Sequence, residues 1–396
     1  MPPTGTPTYK TLDEAVDIAR ALVPRLRERV NETEELRRLP DANVQELRES
    51  GLVALETPKR WGGPELGLDA LLEVTSTLAE GCSSTGWVYA LWASHMWLIG
   101  QFPEHIQEQV FADPAARVSS VVNTVGTATR VDGGFTWSGR GFFSSGVDHS
   151  TWLTAALDVP VEEGGPPERH WMLLRREDYE VVDDWHTVGL KGTGSKTIVI
   201  DNVFIPDECI VNGATLSRGE GVGATLHGSP LYCAAMDFTF SLPLPGAELG
   251  IARAAVTAFE ERCRERLSSG NARLAAEQSA TLTRLAHAGA QVEAAKQLLL
   301  ADARKFCTLN AREATALDRA QCRRDVSFAT QMCRKAVNSI YEAAGGSSVY
   351  MKNDLQRIWR DANVAAAHHG LMWDFHGLAY GRLVVGLTAM PDPAGL

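Results

Sequence analysis

The sequence predicts an α+β fold in which a helical domain, a β domain and a helical bundle follow one another along the chain. Apolar residues recur at helical spacing up to about residue 116 and again from about residue 242 almost to the end. Between these stretches glycine is frequent, β-branched residues alternate with polar ones, and turn signals such as Asp132-Gly133-Gly134 separate short runs. We therefore expect an N-terminal helical domain over 1–116, a central β-barrel or sandwich domain over 117–225 and a C-terminal helical bundle over 226–396.

The N-terminal domain has clear helix signals. The first helix begins at a capping box, Thr11 to Glu14, and continues with apolar residues three and four positions apart. Further helices are predicted over 41–50, where a glycine follows, and over 68–79. The segment 86–102 is largely apolar but contains His95, which indicates a buried helix rather than a membrane span.

The β domain and the bundle are predicted from a change in periodicity. Candidate strands are 118–123, 135–138, 152–157, 171–174 and 197–200, with 203–205 following. A loop-rich connector over 217–229 precedes bundle helices at 250–267, 275–310 and 325–344 and a final helix over 354–387. Long bundle helices pack antiparallel and bury surplus apolar stripes between subunits, so we expect a homo-oligomer.

Composition excludes several classes of function. The net charge of −11 disfavours nucleic acid as a partner, because an acidic surface repels phosphate. Seven scattered cysteines without a C-x-x-C pair disfavour a disulfide framework or a zinc site, and we expect no metal. The first ten residues contain no targeting segment and no run reaches the length of a membrane span, so a cytoplasmic protein without a membrane partner is expected.

Three segments carry a resemblance that covers nearly the whole chain. They are Gly-Arg-Gly-Phe-Phe-Ser-Ser-Gly from 139 with Asp-His-Ser-Thr-Trp from 148, Gly-Leu-Lys-Gly-Thr-Gly-Ser from 189, and Leu-Gln-Arg-Ile-Trp-Arg-Asp from 355. Together with the α-β-α order they resemble the acyl-CoA dehydrogenase superfamily. Within it, they are similar to flavin-dependent hydroxylases that act on 4-hydroxyphenylacetate, steroid-derived phenols and polyketide quinones. The resemblance implies an acyl-CoA dehydrogenase-like fold and a homotetramer.

The region after Arg360-Asp361 separates two branches of this superfamily. Typical acyl-CoA dehydrogenases have a carboxylate near this motif that removes the α-proton of a thioester, a task for a Glu with a raised pKa. No carboxylate occurs in 362–373, and the resembling oxygenases have a histidine where His368 stands. Adjacent helical positions point about 100° apart, so His368 and His369 should not face one site together. The shared His-x-x-Leu-x-Trp-Asp tail favours His368.

The resemblance implies the oxygenase component of a two-component flavin monooxygenase. Such an enzyme receives reduced FMN or FAD by diffusion from a separate NAD(P)H-dependent reductase, reacts it with O2 to a flavin hydroperoxide and hydroxylates a phenolic or polycyclic aromatic compound. His368 would assist oxygen activation by presenting a proton or a positive charge. Ser145, or Ser144, would provide a hydroxyl donor near the flavin N5. His95 and Ser120 would grip the phenol, and Trp373 is a further substrate-binding candidate.

The flavin is expected between the β domain and the bundle. Its candidate ligands are Val122, Asn123, Thr124, Ser144, Ser145, Gly146, Thr193, Ser195, Arg266, Gly345 and Gly346. The resemblance implies that a neighbouring subunit contributes some of the phosphate-binding groups. No G-x-G-x-x-G opens a helix after a strand, which disfavours NADH binding in this chain. FMN is favoured over FAD because no adenosine-binding segment is recognisable.

Three other functions remain open at this point. The same flavin chemistry could oxygenate nitrogen or sulfur instead of an aromatic carbon. Acyl-CoA dehydrogenation would require a base elsewhere in the chain, as in some members of the superfamily. A scaffold that has lost its flavin would bind no reduced flavin at all.

Overall fold

The structure is a computed structural model that describes residues 5–159, 167–268 and 274–388, without the side chains of 266–268 and 274–278. Six helices form its first part: α1 (Leu12–Glu28), α2 (Val30–Leu36), α3 (Asp41–Ser50), α4 (Leu68–Gly81), α5 (Ser83–Ile99) and α6 (Glu104–Phe111). The capping box of α1 is present, with the Thr11 hydroxyl accepting from the Glu14 N–H and the Glu14 carboxylate accepting from the Thr11 N–H. Every residue of α5 except Leu91 is buried, so this helix is packed on all sides.

Eight strands follow, in two four-stranded sheets. They are β1 (Val118–Val121), β2 (Asn123–Val131), β3 (Gly134–Ser144), β4 (Trp152–Val159), β5 (Glu168–Arg175), β6 (Glu180–Val182), β7 (Lys196–Pro206) and β8 (Ile210–Asn212). One sheet has the order β1-β4-β5-β8 and the other β2-β3-β7-β6. Only the β1–β4 pair is parallel among the described strands. Val121, Trp137, Leu153 and Ile198 belong to the shared core of these sheets, so the predicted central β domain is confirmed.

Helices complete the chain. Four short ones, α7 (Gly213–Ser217), α8 (Val222–His227), α9 (Pro230–Cys233) and α10 (Met236–Ser241), lead into the bundle of α11 (Pro243–Ser268), α12 (Leu274–Thr308), α13 (Ala316–Ala344), α14 (Asp354–Ala365) and α15 (Trp373–Val384). A Cβ at Gly250 would lie 2.2 Å from the Ser76 carbonyl oxygen of α4. A residue without a side chain therefore lets α11 pack closely on α4 and joins the bundle to the N-terminal helices.

The predicted final helix over 354–387 is wrong, because the chain breaks after α14 and resumes helical structure only at α15. The alanine-rich sequence before the break continues a helical pattern, but His368 has an extended conformation and caps a 3₁₀ turn over His369–Leu371. His368 and His369 therefore do not lie on an α-helix, and the choice between them cannot rest on helical spacing.

The strand predictions also need correction. The segments 197–200 and 203–205 are parts of one strand, β7, while most of β2 and all of β6 and β8 lie outside the predicted strands. The connector predicted over 217–229 contains a helix, α8. Within the described ranges, no helix has the length and apolar character that crossing a membrane requires. In the same residues, no group of three or more His, Cys, Asp or Glu side chains is placed to hold a metal ion.

Candidate functional site

One face of α5 brings together the segments singled out in the sequence. Starting from Ser84, each residue on this face lies three or four positions after an earlier one: Ser84, Trp87, Val88, Trp92 and His95. A Cβ at Gly146 would lie 2.6 Å from Val88 and 2.9 Å from Trp92, and one at Gly192 would lie 3.1 Å from Ser84. The Trp87 ring is 5.7 Å from the His368 ring, and the His95 ring bonds Ser120. The helix therefore positions groups from β1, from two turns and from the bundle around one region.

His95 and Ser120 form the predicted pair. His95 Nδ1 lies 2.7 Å from the Val118 carbonyl oxygen, and His95 Nε2 lies 3.0 Å from the Ser120 hydroxyl. A carbonyl oxygen only accepts, so Nδ1 carries the proton and Nε2 has the lone pair, which accepts from Ser120. Burial lowers the pKa of His95 to about 4, although the bond to Val118 opposes the shift. The imidazole is neutral at neutral pH and offers a base.

The His95 ring packs against Phe240, which two further aromatic rings contact. Phe240 of α10 lies 5.7 Å from the His95 ring, 6.2 Å from Trp97 and 5.2 Å from Trp171 of β5, measured between ring centroids. Such rings suit a planar aromatic ligand. The sequence analysis missed Phe240, because a single aromatic residue in a short helix gives no sign of what it faces.

Ser145 is the first member of a chain of three hydroxyls. Its Oγ lies 2.7 Å from Ser195 Oγ, which lies 2.7 Å from Thr193 Oγ1. The Thr193 hydroxyl in turn lies 2.9 Å from the Leu190 carbonyl oxygen. The Gly146 N–H also donates to the Thr193 carbonyl, at 2.8 Å, which ties the Ser145 turn to the 191–195 segment. The structure thus brings together Ser145, Thr193 and Ser195, three of the expected flavin ligands.

Arg360 and Asp361 of α14 hold the loop around Leu190, whose carbonyl is the last acceptor of the three-hydroxyl series. Asp361 Oδ1 accepts from the Leu190 N–H at 2.7 Å, and the Arg360 guanidinium donates to the Val188 carbonyl at 2.5 Å. A Cβ at Gly189 would lie 2.6 Å from the Arg360 carbonyl oxygen, so only glycine permits this approach. The sequence singled out the Arg-Asp motif by resemblance, and the structure shows that it positions a loop.

His368 lies beside Trp87 at the break between α14 and α15. Its Nδ1 accepts from the Gly370 N–H at 3.2 Å, which leaves the proton of the neutral ring on Nε2. Burial, and secondarily the neighbouring His369, lower the pKa of His368 to about 3. Of the two roles expected from the sequence, the neutral ring fits a proton donor at Nε2 rather than a positive charge.

The expected flavin-binding segments lie side by side. A Cβ at Gly141, just before the Ser144-Ser145 turn, would lie 2.7 Å from Val121 at the end of β1. Val122 and Thr124 are fixed through their carbonyl and hydroxyl: Arg169 donates to the Val122 carbonyl at 3.1 Å, and Thr124 donates to the Ala156 carbonyl at 2.6 Å.

Two side chains of these segments remain available for a ligand. Asn123 is exposed, and the buried Ser144 hydroxyl has no hydrogen-bond partner among the described residues. Uncommitted amide and hydroxyl groups beside a small-residue turn fit the polar edge of a flavin ring.

The remaining candidates lie apart from this cluster. Trp373 packs on Phe328 of α13, with 5.4 Å between ring centroids, and borders a cavity of about 420 Å³ that Arg334 and Lys335 also line. Gly345 and Gly346 follow α13, and a Cβ on either would meet nothing within 4 Å. The side chain of Arg266 lies outside the described residues. Trp373 thus packs against α13, and no neighbouring atom among the described residues closes in on either glycine.

The chain is similar to known proteins along its whole length. Residues 10–118 match the acyl-CoA dehydrogenase N-terminal domain, and residues 244–373 match the acyl-CoA dehydrogenase C-terminal domain. A pigment production hydroxylase from Rhodococcus sp. (strain ATCC 21145) is 33% identical over 97% of this chain and 99% of its own length. The oxygenase component of an FADH(2)-dependent resorcinol hydroxylase from Rhizobium sp. (strain MTP-10005) is 32% identical over 91% of both chains.

Solved structures show the same similarity. The 3-HSA hydroxylase from Rhodococcus sp. RHA1 superposes with a TM-score of 0.91 at 30% identity and covers 98% of this chain and 99% of its own. XiaF from Streptomyces sp., in complex with FADH2 and glycerol, superposes with a TM-score of 0.87 at 29% identity over 96% of each chain.

Proposed function

Because this chain belongs to the acyl-CoA dehydrogenase family, among the oxygenase components of flavin-dependent monooxygenases, we propose that it uses externally supplied reduced flavin and O2 to hydroxylate a small phenolic or polycyclic aromatic compound. The related resorcinol hydroxylase is FADH(2)-dependent and the XiaF structure is a complex with FADH2, which supports reduced flavin as the cofactor here. Two-component oxygenases receive that flavin from a separate reductase, which we propose as the partner.

The observation that carries the proposal is the neutral His95 with its lone pair on Nε2, facing the Ser120 hydroxyl. Ser120 donates its own proton to His95, so its oxygen can accept the proton of a phenol. Transfer of the phenol proton to Ser120, and of the Ser120 proton to His95 Nε2, would leave a phenolate. Its negative charge would enrich the ortho carbon for hydroxylation, for which bound reduced flavin and O2 would supply the electrophilic oxygen.

The other residues fit supporting roles. The flavin would be held beside the α5 face by Val122, Asn123, Thr124, Ser144, Ser145, Gly146, Thr193 and Ser195. Arg266, Gly345 and Gly346 would bind its phosphate end, and Trp373 would contact the substrate. His368 would donate from Nε2 to oxygen as negative charge develops on it.

An acyl-CoA dehydrogenase would need an accessible carboxylate, and among the described residues no carboxylate charge acts on the pKa of His95 or His368. Glu248 of α11 is fully buried, and the charges that act on it come from Arg334 of α13 and Asp361 of α14. It therefore lies inside the bundle, where a thioester has no access.

A homotetramer in the cytoplasm is the assembly that we propose. Val349, Tyr350 and Met351 after α13, and Val384 and Val385 at the end of α15, are each more than half exposed. Large exposed apolar residues close to one another are typical of protein–protein contacts. Their position on the bundle supports assembly through the bundle helices.

The proposed function is tested by mixing the purified chain anaerobically with reduced FMN or FAD and then adding O2 with a panel of phenols. We expect hydroxylated product from at least one phenol, with little hydrogen peroxide. Products from amines or thioethers alone would instead identify nitrogen or sulfur oxygenation. Bleaching of oxidised flavin by an acyl-CoA without O2 would contradict an oxygenase, and absence of flavin binding would identify a scaffold.

His368→Ala is expected to lower product formation at least about tenfold, because a lost donor to developing oxygen charge typically costs that much or more. His369→Ala is the matched control, since its ring lies 4.5 Å from the His368 ring and the His368 ring in turn lies 5.7 Å from Trp87. Product formation and hydrogen peroxide release are measured for both variants. Equal losses would mean that packing of the turn, rather than donation from His368, matters.

A further inference from the structure

We propose that Ser195 and Thr193 are positioning residues that hold the Ser145 hydroxyl as a hydrogen-bond acceptor toward the flavin and so make the site select reduced over oxidised flavin. This deepens the proposed function and rests on it in one respect, namely that the Ser145 turn faces the flavin N5. All three hydroxyls are buried, so water does not compete for their protons.

The direction of the hydrogen bonds among the three hydroxyls follows from the last acceptor, the Leu190 carbonyl. The Leu190 carbonyl can only accept, so the Thr193 hydroxyl donates to it. Ser195 then donates to Thr193, and Ser145 donates to Ser195. The opposite direction would leave the Thr193–Leu190 bond unmade. The first direction therefore makes one more buried hydrogen bond and is the stable one.

The acceptor at the end of the chain is fixed in place. The Leu190 carbonyl also accepts from the Thr193 N–H at 3.2 Å and from Trp185 Nε1 at 3.1 Å. The Leu190 N–H donates to Asp361, and Leu190 itself has a φ of 48°, in the left-handed region. With the Leu190 N–H bonded to Asp361 and its carbonyl held by two further donors, this carbonyl stays directed at Thr193.

In this arrangement the Ser145 proton points to Ser195, and the Ser145 oxygen keeps a lone pair that can accept a hydrogen bond from a ligand. This reverses the donor role that the resemblance implied. Reduced flavin has an N–H at N5, whereas oxidised flavin has only a lone pair there. An acceptor therefore bonds the reduced form and opposes the oxidised form, which suits an oxygenase that takes up one and releases the other.

The proposal is tested by measuring Kd for reduced flavin, under anaerobic conditions, and for oxidised flavin. The wild-type chain is expected to bind the reduced form more tightly. Ser195→Ala frees the Ser145 proton, and Thr193→Val lets Ser195 donate to Ser145 and turns that proton toward the flavin. Each is expected to lower the ratio of oxidised to reduced Kd about three- to tenfold, the value of one hydrogen bond.

Two controls accompany these variants. Thr193→Ser keeps the hydroxyl and should keep the wild-type ratio. Thr187→Val removes a loop hydroxyl that donates to the Gly189 carbonyl, outside the chain, and should also keep it. Thermal unfolding of each flavin-free variant shows whether it folds, and if Ser195→Ala does not, the Thr193→Val and Thr193→Ser pair decides.

The two possible failures have different signatures. A wild-type chain that binds neither form of flavin contradicts the proposed function itself. A chain that binds flavin but whose Kd ratio is the same in wild type, Ser195→Ala and Thr193→Val overturns only the role of Ser195 and Thr193. A ratio that falls in Thr193→Ser as much as in Thr193→Val would also overturn it.

Discussion

Replacing His95 by alanine is expected to lower the rate of phenol hydroxylation by about 10²–10⁴-fold, the usual contribution of a general base. Oxidation of reduced flavin by O2 should continue and yield hydrogen peroxide, because the Ser145 turn and His368 are unchanged. The reason is the tautomer: with its proton held by Val118, His95 has its only lone pair on Nε2, toward Ser120. Product and hydrogen peroxide are measured in the same reaction.

The role of His95 as a base is separated from packing by the choice of substrate. A phenol that is already ionised at the assay pH needs no base, so His95→Ala should affect its hydroxylation far less than that of a neutral phenol. His105→Ala, at an exposed histidine that pairs with Glu208, is the matched control and should change neither. Equal losses for ionised and neutral phenols would mean that His95 only shapes the pocket.

Both the base function of His95 and its effect on the stability of the fold are expected to become less favourable as pH falls. Since the pKa of His95 lies at about 4, its neutral form dominates above pH 5 and the base is lost only as pH falls toward 4. The unfolded ring, in contrast, protonates near its ordinary value of 6.5. His95 and His368 therefore lower stability as pH falls through the unfolded value of 6.5, and their contribution to the slope fades over about one pH unit above that value.

The order of helices and strands could be predicted because most elements have a strong period, but the exceptions have physical causes. β2 is an edge strand that is exposed along nearly its whole length, so it lacks the alternation of apolar and polar residues that identifies a strand. The break after α14 depends on the conformation of His368, which the alanine-rich sequence before it does not show.

Much of the candidate site could be named from the sequence, but not its arrangement. His95, Ser120, Ser145 and Ser195 were all expected, whereas Trp87 was missed because a helix buried on every side has no polar stripe to show which residues face the site. The hydroxyl chain depends on the left-handed backbone at Leu190, which a non-glycine residue does not predict.

Glu56→Gln is expected to remove a loss of stability that the wild-type protein shows as pH rises. Glu56 is fully buried, and neither of its carboxyl oxygens has a hydrogen-bond partner among the described residues. Burial raises the pKa of this carboxyl well above its ordinary 4.5. In the folded state it therefore keeps its proton where the unfolded chain has lost it, and the free energy of unfolding falls as pH increases.

The size of this effect is about 1.4 kcal/mol for each pH unit between 4.5 and the raised folded pKa, where the unfolded chain binds one proton fewer. His95 and His368 are present in both proteins, so the difference between the wild-type and Glu56→Gln slopes isolates the contribution of Glu56. Chemical unfolding of the flavin-free protein at two pH values in that range gives the slope. Glu56→Gln should flatten it, and Glu49→Gln, at an exposed position of α3, should not.

Glu248→Gln provides an independent test, because Glu248 is equally buried and burial raises its pKa too, with Arg334 opposing the shift. The two acids lie in different parts of the molecule, so their effects on the slope should add. A wild-type slope that Glu56→Gln leaves unchanged would mean that Glu56 is ionised in the fold or gains a partner. That outcome would place a further polar group near Glu56, whose backbone carbonyl accepts from the Tyr232 hydroxyl at 2.7 Å.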